Sequence, residues 1–112
     1  MKAWPEAASE LIELQLALAA ESPPPWRFSE TARIGTCFVC FQRGPSGPGN
    51  AGDAAWAAAS LGETQVASEG IAPAPYRAGL LALREGALLE SAVRALPEAP
   101  EVLLVDATIL AG

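Results

Sequence analysis

Residues 75–96, PYRAGLLALREGALLESAVRAL, and the short run 101–106, EVLLVD, decide the fold of this chain. Within the first stretch, residues 79–96 have the leucine and alanine spacing of a helix, and the prolines that follow end it. Residues 102–105 form a short apolar run that is typical of a buried strand. A helix that leads into such a strand predicts a crossover, which places the last strand parallel to a neighbour.

Three more strands are predicted upstream of that helix. Residues 34–41, IGTCFVCF, are apolar on both faces, which is the pattern of a central strand covered on each side. The alanines of residues 54–61 favour a helix, but Gly62 and Glu63 form a two-residue turn into the strand-like residues 64–71. We therefore predict a strand at 54–61, and the short connections indicate an antiparallel meander.

An N-terminal helix is predicted over residues 5–20, and the prolines at 23–25 prevent it from continuing. Trp26 and Phe28 lie in the extended connector that follows, and we expect them to pack as anchors. The apolar face of this helix is predicted from residues that recur at steps of four and three: Ala8, Ile12, Leu16 and Ala19.

The predicted order is therefore helix, three strands, helix and strand. This order indicates an α/β (α+β) mixed sheet, in which a three-stranded antiparallel meander is extended by one parallel strand. A chain of 112 residues has the size of one domain, so residues 1–112 are treated as one. Residues 44–53, GPSGPGNAGD, are predicted to form a flexible Gly/Pro loop.

Composition limits the partners of the chain. Its net charge is −6, its pI is near 4.5 and its arginines are scattered, so it has no basic stripe for tight binding to phosphates. Hydrophobic residues make up 51% and charged residues only 18%, which predicts that some apolar surface meets a partner. The chain has no signal peptide and no apolar stretch of about 20 residues, so we expect no membrane contact and a cytoplasmic location.

Cys37 and Cys40 are the two cysteines, and the chain has no histidine, so a Cys/His zinc site is excluded. Residues three apart in a strand point to opposite faces, which disfavours both a shared metal and a disulfide. Both cysteines are predicted to be small buried apolar residues.

Glu85 and Asp106 are the two carboxylates in informative positions. Glu85 lies among leucines on the apolar face of its helix, where it is either a ligand-binding group or a rim residue paired with Arg84 or another arginine. Asp106 ends the last strand, a position that suits both ligand binding and an ordinary turn. Together the two could bind one hard cation such as Mg²⁺.

These motifs resemble the endonuclease V family. In that family a Pro-Tyr motif precedes a Gly-Leu-Leu-x-x-Arg-Glu helix and a Leu-Val-Asp strand end, as in residues 75–96 and 101–106 here. The similarity extends more weakly through residues 66–71 and back to 34–41. The resemblance implies a partial ribonuclease-H-like fold and a DNA-repair hydrolase that uses Mg²⁺ or Mn²⁺ to cut near a deaminated base, inosine in particular. The substrate it implies is single-stranded or duplex DNA, or RNA.

By the same resemblance, Glu85 and Asp106 match the family's metal-binding catalytic carboxylates. Pro75, Tyr76 and Gly79 match the motif that contacts the damaged base, so they are candidate substrate-binding residues.

Departures from the family pattern are equally specific. Cys37 occupies the position of the first catalytic aspartate, and a thiol is a poor ligand for Mg²⁺. Arg77 and Ala78 replace an apolar residue and a proline, and Ala107 replaces a glycine. The family's later strand, histidine loop and last acidic residue have no counterpart before Gly112, so we expect a truncated, degenerate domain.

Three hypotheses follow. The first is a family member that is inactive alone, because Cys37 replaces an aspartate and the last third is missing. The second is an active Mg²⁺-dependent endonuclease, with Glu85 and Asp106 completed by a second copy. The third is an interaction module that uses the apolar edge of the fourth strand, as a homodimer or bound to a partner protein.

Overall fold

The computed structural model describes residues 4–42 and 49–105. Two helices and four strands occur in the order that the sequence predicts. Their bounds are α1 Ala8–Ala19, β1 Ile34–Phe41, β2 Ala54–Leu61, β3 Thr64–Ile71, α2 Leu81–Arg94 and β4 Val102–Val105.

The four strands form one mixed sheet in the order β3-β2-β1-β4. β1, β2 and β3 are antiparallel neighbours, and β4 pairs in parallel with β1, which confirms the predicted meander and crossover. Gly62 adopts a φ of 61° in the turn between the paired residues Leu61 and Thr64, a conformation that favours glycine. The arrangement is an α/β fold consistent with a partial ribonuclease-H-like sheet.

The core lies where α2 packs on one face of the sheet. Its buried cluster consists of Cys37, Ala57 and Ala59 from the sheet, Ala92 from α2 and Leu96 from just after α2. Ala57 and Ala59 of β2 face α2, and their small side chains allow the helix to approach closely. An alanine-rich segment therefore forms a strand here because its small side chains fit under the helix, although alanine favours helices elsewhere.

The prediction that β1 is covered on both sides is wrong. Its burial alternates: Gly35 and Cys37 face α2, whereas Thr36, Phe38 and Cys40 are exposed on the opposite face. Within the described residues, α1 packs against α2 and leaves that opposite face uncovered. Cys37 is thus buried as expected, but the expected burial of Cys40 is wrong.

The N-terminal helix and its connector also depart from expectation. Leu11 is the buried residue of α1, whereas Ile12 is exposed and Leu16 is 66% exposed. The stripe predicted from steps of four and three therefore does not face the core, since the contact with α2 is narrow. Trp26 and Phe28 contact each other edge to face, with ring centroids 6.1 Å apart, but both are exposed and do not anchor the connector.

The Gly/Pro loop predicted at 44–53 lies partly outside the described residues, and its flexibility stays a prediction. Its described end, residues 49–53, makes specific contacts that are given below. In the two described ranges, neither helix is both long and apolar enough to cross a membrane.

We expect Gly35→Ala to destabilise the fold by about 1–3 kcal/mol, because an added methyl group meets rigid neighbours. A Cβ at Gly35 would lie 2.9 Å from the Pro100 ring and 3.0 Å from the carbonyl oxygen of Ser60. Gly70→Ala is the matched control, since its Cβ meets only the flexible end of Leu88. Urea unfolding measures both variants, and an equal loss in the two would contradict this packing argument.

Candidate functional site

A cleft of about 690 Å³ opens between α2 and the part of the sheet formed by β1 and β4. Most of its wall is apolar, and carboxylates and one arginine lie along it. The apolar residues include Leu81, Leu89, Val93, Leu96, Leu103 and Val105, and the charged ones are Glu85, Glu90, Arg94 and Glu98.

Cys37 of β1 and Glu85 of α2 both line this cleft. Cys37 is only 3% exposed, and burial raises the pKa of its thiol above the ordinary value. Glu85 is half-buried. The structure therefore brings together two of the three predicted catalytic residues, and one of them is a thiol that remains protonated at neutral pH.

Asp106, the third predicted catalytic residue, lies outside the described residues. Val105, which precedes it in sequence, lines the cleft and pairs in parallel register with Cys37.

Glu90 also lines the cleft, and its carboxylate accepts hydrogen bonds from Arg94 and Trp4. The Arg94 side chain donates to Glu90 at 2.8 Å, and the Trp4 indole N–H donates to its other oxygen. These hydrogen bonds, that of Arg94 first, hold the pKa of Glu90 below its usual value. Gly86 makes room for the Trp4 ring, since a Cβ there would lie 2.6 Å from it. Glu90 is therefore engaged in fixing the N-terminal segment against α2.

The predicted substrate-binding residues Pro75, Tyr76 and Gly79 are exposed on the loop between β3 and α2. They do not line the cleft, although their loop leads directly into the helix that carries Glu85. The Tyr76 backbone N–H donates to the carbonyl of Gly49 at 3.2 Å. Gly79 has a φ of 78°, and its carbonyl accepts from Gln15 at 3.2 Å. The backbone of this loop is thus held at two points, and the Tyr76 ring faces solvent.

Arg84 is the important residue that sequence reasoning missed. It is only 4% exposed, and its guanidinium donates to Asp53 at 3.0 Å and to the carbonyls of Asn50 and Ala74 at 3.0 and 2.9 Å. The guanidinium carbon also lies 4.0 Å from the centroid of the Phe41 ring, a cation–π contact. One side chain therefore connects α2 to the end of β1, to the segment before β2 and to the loop after β3.

A signal for this role was present in the sequence. Arg84, Leu88 and Ala92 recur every four residues, which places the arginine on the buried stripe of α2. The sequence suggests Arg84 only as a partner of Glu85, whereas the structure pairs it with Asp53, which lies 31 residues earlier in the chain. A charged residue at such a helix position requires a partner, and only the fold identifies it.

The described donors in the cleft do not fit Mg²⁺. Among the described residues, no group of three Asp, Glu, Cys or His side chains is placed to hold a metal ion. Glu85 supplies a hard carboxylate, but the group in the strand-one position is the soft, protonated thiol of Cys37. A magnesium site in this cleft would therefore need oxygen ligands beyond those described.

Comparison with models of protein families gives a match. A family model described as Endonuclease V matches residues 45–111, which is more than half of the chain. The match includes the 75–79 loop, α2 and β4, and it does not include β1 with Cys37. A search of curated proteins finds no match.

We expect Asp53→Asn to remove a pH-dependent part of the stability. A backbone hydrogen bond from Asn50 and one from Arg84 hold the pKa of Asp53 below its ordinary value of 3.8. Ionised Asp53 therefore stabilises the fold above that pH, and the contribution is lost as the pH falls through the lowered pKa. Thermal unfolding from neutral to acid pH should show the parent more stable at neutral pH and the difference shrinking in acid.

Glu63→Gln, in the exposed turn between β2 and β3, is the control and should follow the parent at every pH. A difference between parent and Asp53→Asn that is the same at all pH values would contradict the role of the Asp53 charge.

Proposed function

Because the chain belongs to the endonuclease V family, we propose that it is a nuclease relative that has lost metal-dependent strand incision through the replacement of one catalytic aspartate by Cys37. The family relationship supports a role in nucleic-acid repair. A cytoplasmic location, inosine as the recognised base and Mg²⁺ or Mn²⁺ as the family's cofactor are parts of the same proposal.

The observation that carries this proposal is the position of Cys37 in the cleft of Glu85. Cys37 lies on the face of β1 that points toward α2, which is where a strand-one carboxylate would meet the helix glutamate. A metal-binding carboxylate must be ionised and offer hard oxygen atoms. The Cys37 thiol is buried, its pKa is raised, and its sulfur prefers soft metals, so it meets neither requirement.

Binding of nucleic acid without cleavage is the function that the chain retains in our proposal. Tyr76 supports it, because an exposed aromatic ring on a loop with a fixed backbone can stack on a base. Pro75 and Gly79 would shape that loop. The net charge of −6 predicts weak binding that falls steeply with salt.

An interaction module is the second candidate function. In the described part of the sheet, β4 pairs only with β1, so its outer edge is open. Leu104 and Val105 on this strand are exposed, and an apolar open edge pairs readily with another chain. A homodimer joined through the β4 edge is compatible with loss of incision.

The test is an incision assay on single-stranded DNA and RNA that each carry one inosine, first with Mg²⁺ and then with Mn²⁺. We expect no cleavage by the parent chain and measurable cleavage by Cys37→Asp, because the substitution supplies the missing carboxylate beside Glu85. The double variant Cys37→Asp, Glu85→Gln should be inactive again.

Cys40→Asp is the matched control, since it places the same new carboxylate on the same strand but on the opposite, exposed face. It should stay inactive. Cleavage by the parent that Glu85→Gln abolishes would overturn the proposal and favour an active enzyme, whether alone or completed by a second copy. Inactivity of Cys37→Asp would show that Cys37 alone does not account for the loss.

We expect Tyr76→Ala to weaken binding of an inosine-containing single strand, since base stacking on an aromatic ring contributes about 1–3 kcal/mol. Fluorescence anisotropy of a labelled oligonucleotide at low salt measures the dissociation constant. Phe28→Ala is the control, because Phe28 is an exposed aromatic residue in the connector before β1. Equal weakening by both substitutions would argue against a specific role of Tyr76.

A further inference from the structure

The sheet face that points away from α2 carries large apolar side chains from all four strands. We name it the open face, and its large apolar residues, each 40–66% exposed, are Ile34, Phe38, Trp56, Ile71 and Leu104. Phe38 pairs with Ala58 and Cys40 with Trp56, so Phe38 and Trp56 are diagonal neighbours, about 7–8 Å apart, at the centre of the sheet.

Polar groups at the centre of the open face are already paired with each other. The hydroxyl groups of Thr36 and Ser60, which are register partners on β1 and β2, form a hydrogen bond at 2.6 Å. Covering this pair with an apolar surface therefore leaves no unpaired donor at that point. The centre of the open face is chemically suited to a dry contact.

Charge on the open face indicates which class of partner fits. Its one charged residue is Glu69, on the outer strand β3 beside Trp56, and it carries no lysine or arginine among the described residues. A nucleic-acid strand needs cations for its phosphates and would meet a carboxylate instead. An apolar protein surface without charge at its centre is the complementary partner, and the same face of another copy has that property.

The area of the open face indicates whether its partner is a second sheet or a smaller element such as a helix. Three eight-residue strands and one four-residue strand, spaced about 4.8 Å apart with about 3.4 Å per residue, span roughly 450 Å² in plan. Two such faces together bury roughly 900 Å² as flat areas, and protruding side chains add to this surface. The sum is close to the approximately 1,000 Å² that a specific interface requires. A helix the length of α1 covers about 180 Å² and would leave most of the open face exposed to solvent.

We propose that the open face binds the open face of a second copy, so that two sheets pack face to face with Phe38 and Trp56 of each copy at the centre. Packed sheets of this kind keep their strands within about 30° of each other. This surface is distinct from the β4 edge, and the proposal does not depend on the loss of incision.

Sedimentation equilibrium tests the oligomeric state between about 1 and about 100 μM, a range that brackets a micromolar dissociation constant. We expect a dimer whose dissociation constant rises about tenfold or more in Trp56→Glu and in Phe38→Glu, because each puts a charge at the centre of the contact. Leu16→Glu is the matched control on the exposed side of α1 and should dimerise like the parent. Circular dichroism verifies that each variant is folded.

Cys40 gives a second, independent measurement. It is exposed on the open face, whereas Cys37 is buried under α2, so maleimide labelling of the folded chain reports on Cys40. For a dissociation constant between about 1 and about 10 μM, the fraction of monomer falls about four- to sevenfold between about 1 and about 100 μM, so labelling of Cys40 should slow by that factor in the parent and should not slow in Trp56→Glu.

Three results would overturn the proposal. The first is a monomer throughout the concentration range. The second is a dimer that persists unchanged in both Phe38→Glu and Trp56→Glu, which would place the contact elsewhere, such as at the β4 edge. The third is binding of a single-stranded oligonucleotide that depends on Trp56 while the chain stays monomeric, which would make the open face a base-stacking surface.

Discussion

A buried guanidinium is tolerated only where its hydrogen bonds and charge are satisfied. Arg84 meets that requirement with hydrogen bonds to two segments, residues 50–53 and Ala74, and with a cation–π contact to Phe41 in a third. Because those partners lie at one end of the sheet, they fix both the position and the rotation of α2. Successive helix residues differ by about 100° around the axis. With Arg84 directed to Asp53 and Phe41, the next residue, Glu85, is directed into the cleft beside β1.

The same rotation determines the two faces of the sheet. Ala92 of α2 and Leu96, which follows the helix, pack on the small side chains of β1 and β2, so one face of the sheet is closely covered. Cys37 lies on the covered face, in a position suited to chemistry with Glu85 but with a group unsuited to bind magnesium. Cys40, three residues later, lies on the uncovered face. One strand thus contributes to a candidate site on one side and to a candidate contact surface on the other.

Local signals predicted much of this fold, and long-range contacts account for what they missed. The strand at 54–61 followed from the Gly62-Glu63 turn, because a two-residue turn with glycine first is a local constraint. The burial of Cys40 and the stripe of α1 were wrong because apolar character does not indicate whether another element covers a surface. Arg84 was missed because its partners are distant in sequence, and the roles of Glu85, Asp106 and Tyr76 stay predictions.

The central claim is that Cys37 prevents a hard divalent cation from binding beside Glu85. The most direct measurement is titration of Mn²⁺ into the parent chain, Cys37→Asp and Cys40→Asp, with the electron paramagnetic resonance signal of free Mn²⁺ as the readout. We expect that only Cys37→Asp binds Mn²⁺ appreciably, at least about tenfold more tightly than the parent, since it adds an oxygen ligand. Tight binding by the parent that Glu85→Gln abolishes would contradict it.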